Sequence, residues 1–272
     1  MSNVLSPEQV RRYERGGFLS PLPALTAAEV RAARDSLAEF ESYLGPGRTY
    51  EHFRQLHLFF RWAYGLAVHP AVLDAVEGVL GPNILVHSST VFYKRGRDRS
   101  YVSWHQDGYY WNINLPHVAS AWIALSESGP ENGCMRVIPG SHTRGRLPHA
   151  QTSVAGNNML TSGMEVTAGA DDSRAVDVVL EPGQMSLHHV YTVHGSCPNL
   201  SERERIGYAV RYIAPEVKQA LPHYPVVLAR GRDDYGHFEL LGGPPGGTPE
   251  ESHAAHAELL RWISEMRNTA IK

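Results

Sequence analysis

The chain has 272 residues, with 25 Lys and Arg against 28 Asp and Glu and a formal net charge of -3. That length buries a substantial core without disulfide or metal staples, so a single domain over 1–272 is expected. The near balance of charge, without a basic run or stripe, argues against nucleic acid as a partner. No window approaches the roughly 18 uninterrupted apolar residues of a membrane span, so no membrane partner is expected. Only Cys134 and Cys197 are present, and the N-terminus MSNVLSPEQVRRYERGG lacks a signal peptide's apolar core. A cytoplasmic protein fits both observations.

The first part, 1–82, begins helical. Ser6-Pro7-Glu8 pairs an N-cap with Pro at the first helical position, and Thr26 with Glu29 forms a capping box ahead of VRAARDSLAEFESYL. A third helix is expected from about Pro70 to Leu80, stopped by Gly81-Pro82. From Ile84 the texture changes to short β-branched and aromatic runs: ILVHSSTVFYK, YVSWHQD, VASAWIAL, CMRVIPG, AVDVVL, GQMSLHHV and RIGYAVRYI. Turn signals separate them, including Pro182-Gly183 and Asn132-Gly133, the latter read as a hairpin turn. The pattern predicts a mainly β fold with flanking helices, a jelly-roll or double-stranded β-helix of cupin-like barrel form, over 83–215. Within it, 141–173 is a long polar stretch expected to be a lid-like loop, structured in part by His142. The extension 216–272 is expected to close with an amphipathic helix over about 250–267, with Leu259, Leu260, Ile263 and Met266 on one side.

The chemistry concentrates at Trp104-His105-Gln106-Asp107-Gly108. On an extended strand, a His and an Asp two apart project to the same face. An imidazole and a carboxylate suit Fe(II), which the 2-His-1-carboxylate facial triad holds with three protein groups while leaving positions open. The absence of a cysteine pair argues against structural zinc. The alternative is a barrel-lining pair hydrogen-bonded internally. Three histidines compete for the third ligand: His188 and His189 in QMSLHHV, and His194 after it. Spacing favours His194, because Arg205 follows eleven residues later, where a guanidinium could bind the far carboxylate of 2-oxoglutarate bidentately. Arg205 shares strand parity with Gly207, Ala209 and Arg211, so small neighbours are expected to leave room for a ligand. Arg203 and Arg211 are rivals for this role, and the run Glu202-Arg203-Glu204-Arg205 could instead be a solvated strand end.

These residues carry a resemblance to the phytanoyl-CoA dioxygenase family of Fe(II)/2-oxoglutarate oxygenases. The matching segments are Trp104 to Asp107, the Trp-containing strand Ala121 to Leu125, Asn132-Gly133-Cys134, Pro139-Gly140-Ser141-His142, His194 to Asn199, and Arg205. The match is close over 84–214 and loose before it. The resemblance implies that His105, Asp107 and His194 bind iron and that Arg205 anchors the 5-carboxylate of 2-oxoglutarate. It also implies that Ser196 assists that carboxylate, that Trp122 walls the pocket, and that O2 is consumed with release of succinate and CO2. Related halogenases replace the carboxylate by a small residue and admit chloride, so retention of Asp107 favours a hydroxylase.

The expected substrate is a small molecule, touched by Tyr93, Tyr109, Tyr110, Trp111 and Asn112 and by the 141–173 loop. Lys94, Arg95, Arg97 and Arg99 form a modest basic patch, expected to be a solvated hairpin and no site for a CoA thioester. A metal-binding jelly-roll that does not use 2-oxoglutarate is the other class of function the motif admits.

Overall fold

The computed structural model describes residues 4–47, 49–111, 113–151, 156–160, 163–219, 221 and 224–270. It opens with α1 (Pro7–Gly16), β1 (Phe18–Pro23), α2 (Ala27–Leu44), α3 (Arg61–Ala67) and α4 (Pro70–Leu80). Both capping boxes form: the Ser6 hydroxyl accepts from the Gln9 amide and the Gln9 side chain accepts from the Ser6 amide, with Thr26 and Glu29 doing the same. These reciprocal bonds satisfy two of the amides that a helix start leaves unpaired. Helix α4 ends at Gly81, whose positive φ of 92° suits glycine.

The β region comprises β2 (Ile84–Lys94), β3 (Val102–His105), β4 (Val118–Ala124), β5 (Met135–Val137), β6 (His149–Gln151), β7 (Met164–Val166), β8 (Val176–Val178), β9 (Gln184–His189), β10 (His194–Ser196) and β11 (Arg205–Ile213). The short helix α5 (Gly108–Trp111) interrupts it after β3. The chain closes with β12 (Pro225–Arg230), β13 (Glu239–Leu241) and α6 (Pro249–Ala270). Seven strands form one sheet, ordered β1-β9-β4-β11-β2-β12-β13, and four form a second, β3-β10-β5-β8. All pairings are antiparallel except β12 with β13. This is the jelly-roll architecture.

Period-2 alternation decides the layers. On β11, Ile206, Tyr208, Val210 and Tyr212 face the helices and join Leu37, Phe40, Leu66, Val72 and Val76 in the largest core cluster. Tyr208 and Tyr212 donate their hydroxyls to the Ala63 and Ala67 carbonyls, which satisfies both phenols inside that core. The opposite face of β11 looks between the sheets, where Phe92, Val102, Trp122, Met135, Val137 and Ala209 pack together. The other end of this interior is filled by Leu85, Val118, Ile213, Val217, Tyr224, Phe238 and Ile263.

Four expectations change. The first 82 residues are not purely helical, because β1 adds an edge strand to β9. Two prolines conceal it, and both are tolerable at a sheet edge. The extension after 215 supplies β12 and β13 to the large sheet as well as the closing helix. Asn132-Gly133 is not a hairpin turn: β4 and β5 lie in different sheets, and Asn132 ends a short 3-10 turn, bonding the Gly129 amide and the Glu127 carbonyl. Finally, the 141–173 stretch contains the β6–β7 hairpin. Gln106 ties it down, donating to the Gly145 and Tyr191 carbonyls and accepting from the Leu147 amide. His142 structures its start by donating to the Glu14 carbonyl. No helix among the described residues is long and apolar enough to cross a membrane.

Candidate metal centre and cosubstrate pocket

Strands β3 and β10 are neighbours, and their register sets His194 opposite His105, with ring centroids 4.1 Å apart. Asp107 lies in the link between β3 and α5, its Oδ1 3.7 Å from His105 Nε2. One donor atom from each of His105, Asp107 and His194 falls within 4.8 Å of the others, and all three residues are buried. Each histidine is oriented by its own strand: Nδ1 of His105 bonds the Ser103 carbonyl and Nδ1 of His194 the Thr192 carbonyl, both at 2.9 Å. A carbonyl only accepts, so Nδ1 carries the proton and Nε2 keeps its lone pair for a metal. Burial, then repulsion from His105 and His188, pushes His194 well below the usual imidazole range, which favours its neutral, ligating form.

Asp107 is seated by one row of the large sheet. The registers align His188 of β9, Ser120 of β4 and Arg211 of β11. Ser120 Oγ donates to Asp107 Oδ2 at 2.9 Å, Arg211 Nε lies 3.5 Å from the same oxygen, and His188 Nε2 lies 3.7 Å from it. Three groups therefore gather on Oδ2, and Oδ1 is the oxygen turned to His105. Burial would raise the carboxyl's pKa, but the Arg211 guanidinium, helped by His105, His188 and His194, holds it well below the usual range.

Further along β11, Arg205 is 2% exposed and has no ion-pair partner among the described residues. Its Nε is buried without a hydrogen-bond partner, and burial draws its pKa from 12.5 to about 10. Its guanidinium carbon sits 5.4 Å from the Trp122 ring. An unpaired buried guanidinium is costly, and a ligand carboxylate would satisfy it. Arg205, Trp122 and Ser196 line one cavity with His105, His194, His188 and Arg211, flanked by Phe92, Val102, Met135 and Ala209.

The expected residues therefore converge only in part. His105, His194, Ser196, Trp122 and Arg205 line this cavity, and Asp107 is clustered with its two histidines. The run Glu202 to Arg205 splits: Arg203 bridges Glu127 and Glu131 on the surface, and only Arg205 turns inward. His189 points elsewhere, its Nδ1 accepting from the Tyr191 amide, and His188 joins Asp107. The room expected above Gly207 is taken by Trp122, since a Cβ there would come within 1.8 Å of the indole. Tyr93 faces away from the cavity and bonds Glu204, because Phe92 occupies the inward position on β2. Tyr110 stands near the candidate ligand cluster, with its ring 6.0 Å from His105 and its hydroxyl donating to the Met164 carbonyl. Tyr109 instead stacks on His149 at 4.1 Å. Asn112 and the side chain of Trp111 lie outside the described residues.

The basic patch is also not what its composition suggests. Arg95 pairs with Glu41 and Arg97 with Glu202, each at 2.7 Å, but Lys94 is fully buried. Its Nζ donates to Ser196 Oγ at 2.7 Å and the Cys197 carbonyl at 2.5 Å. Lys94 shares a face with Phe92 on β2, and Ser120 with Trp122 on β4; that parity was the available signal for both.

The family profile described as phytanoyl-CoA dioxygenase (PhyH) matches residues 13–207. A probable alpha-ketoglutarate-dependent hypophosphite dioxygenase of Stutzerimonas stutzeri is 28% identical over 185 residues, covering 68% of this chain and 61% of that protein. The chain thus spans less than two thirds of that relative's length. Peroxisomal phytanoyl-CoA dioxygenase of Rattus norvegicus is 26% identical over 248 residues, covering 80% of this chain and 71% of the rat protein. Among solved structures, the apo form of ThoJ, a non-heme monooxygenase, matches with a TM-score of 0.83 and 30% identity, covering 97% of this chain and 98% of that one.

Proposed function

Because the chain belongs to the phytanoyl-CoA dioxygenase (PhyH) family of Fe(II)/2-oxoglutarate-dependent oxygenases, we propose that it hydroxylates an unactivated C–H bond of a small molecule, with succinate and CO2 as coproducts. Residues 1–272 are read as one oxygenase domain. His105, Asp107 and His194 hold Fe(II), and Arg205 with Ser196 takes the 5-carboxylate of 2-oxoglutarate while Trp122 walls the pocket. When bound, iron, 2-oxoglutarate and O2 supply the oxidising power. The chain supplies orientation and a dry, shaped interior.

The observation that carries this reading is the His105-Asp107-His194 cluster beside a cavity whose buried Arg205 guanidinium has no acidic partner among the described residues. Asp107 occupies the position that related halogenases leave open to halide, and its seat under Ser120 and Arg211 keeps it there, which favours hydroxylation or another oxidative outcome over halogenation. Neutralisation of Arg95 and Arg97 by acids supports a substrate without a CoA polyphosphate, such as a secondary metabolite.

The cosubstrate is tested by anaerobic titration of the Fe(II) protein with 2-oxoglutarate, which should produce the weak visible charge-transfer band of a chelated 2-oxo acid. No band in protein containing one iron would favour a metalloprotein that does not use 2-oxoglutarate. The reaction type is tested with a panel of small molecules under labelled O2. A product that gains one labelled oxygen with succinate release supports hydroxylation. A cyclised or epimerised product without added oxygen overturns it.

A further inference from the structure

Asp107 lies beyond the last residue of β3, so the ladder that sets His105 opposite His194 does not reach it. The separation of His105 from Asp107 is therefore set by the backbone of the residue between them, the fully buried Gln106. That backbone is held from the β6–β7 hairpin, 43 residues away in sequence: the Gln106 amide donates to His149 Nε2 at 3.1 Å. His149 is prepared to accept. Its Nδ1 bonds the Leu147 carbonyl at 2.9 Å, so Nδ1 carries the ring proton and Nε2 keeps the lone pair.

The hairpin grips this segment on both sides of Gln106. Before it, Asn158 Nδ2 donates to Ser103 Oγ at 3.0 Å, on the residue whose carbonyl orients His105. After it, the Tyr109 ring stacks on His149 and the Tyr110 hydroxyl donates to the Met164 carbonyl of β7 at 3.1 Å. The segment and the hairpin are one packed unit, so an ion that favours one backbone setting at 105–107 also favours the docked hairpin, and the hairpin returns the same factor in ion affinity. Resting on the metal-centre reading above, we infer that His149 is a positioning residue of that centre: by taking the Gln106 amide it holds His105 and Asp107 at the separation that presents both to one ion. His149 is no ligand itself, since both its ring nitrogens are engaged, and it acts through Gln106.

The test is metal binding by the full chain, read as Fe(II) affinity under anaerobic conditions and as the visible spectrum of the Co(II) protein, which follows ligand geometry. His149→Phe keeps a ring against Tyr109 but offers the Gln106 amide no acceptor. Fe(II) should then bind on the order of 10-fold more weakly, and the Co(II) bands should shift. His149→Gln, which can offer an oxygen there, should recover affinity. Arg146→Met removes the cation 4.9 Å from the Tyr109 ring, leaves the His149 bond intact, and should bind Fe(II) as the wild type does. Wild-type affinity with an unshifted Co(II) spectrum in His149→Phe overturns the inference. Equal weakening in Arg146→Met overturns it too, because any loosening of the hairpin would then suffice. If His149→Phe does not fold, His149→Leu reads the same affinity. Wild-type protein that takes up no Fe(II) refutes the metal centre itself; stoichiometric wild-type binding with an unaltered His149 variant refutes only the role of His149.

Discussion

Replacing Arg205 by Met should stabilise the cosubstrate-free protein while nearly abolishing its affinity for 2-oxoglutarate. In the folded chain the guanidinium's pKa falls from 12.5 to about 10, chiefly through burial. That fall corresponds to about 3 kcal/mol against the charged form. The unfolded chain holds this proton more tightly than the folded one, so the penalty is present in full at every pH below about 10 and is relieved only above it. Losing the contact with Trp122 returns about 1 kcal/mol, leaving a net gain of about 2 kcal/mol. For a chain of this size that raises the melting temperature by roughly 4–8 °C. Loss of a buried, bidentate partner for the ligand carboxylate costs about 2–5 kcal/mol, or roughly 30- to 4,000-fold in affinity. Urea unfolding at pH 7 without cosubstrate, set beside anaerobic titration with 2-oxoglutarate, measures both signs. An Arg205→Met protein that is less stable and binds 2-oxoglutarate normally would show that Arg205 is a structural cation satisfied in the fold.

Arg211→Leu should act oppositely, because it strips Asp107 of its nearest cation; breaking a buried ion pair costs about 3–5 kcal/mol, read by urea unfolding. Loss of this support should also weaken Fe(II) binding by roughly 10–100-fold in a metal titration. His194→Ala should lose stoichiometric iron and His189→Ala should keep it; the reverse result, by metal analysis after anaerobic loading, would move the third ligand to His189. Gly207→Ala places a methyl 1.8 Å from the Trp122 indole. It should cost about 1–3 kcal/mol in urea unfolding through overpacking. A neutral result would mean that Trp122 has room to swing aside.

Much of this protein is legible one segment at a time. Ser6 and Thr26 start their helices through bonds that reach three residues, and Gly81 stops α4 by its own backbone freedom. The eleven residues of β2 declare themselves by composition, a separation of two residues keeps His105 and Asp107 close, and parity along one strand sets Arg205 on one face with Arg211. Those determinants are local, so the amino-acid order alone contains them.

Tertiary structure decided the rest. Helix α3 has no side-chain cap at Phe60 to announce it, and β1 is recognisable as a strand only because β9 pairs with it. The seat of Asp107 needs β9, β4 and β11 side by side in one register, a coincidence of residues 188, 120 and 211 that no local pattern encodes. Lys94 has the surroundings of a surface charge in the sequence KRGRDR, yet β10 and its following turn cover it. Burial belongs to the packed chain, because it depends on which distant segment lies over a side chain. Hence the sequence by itself carried the candidate ligands and the jelly-roll pattern, while packing determined which charges stand unpaired around the site.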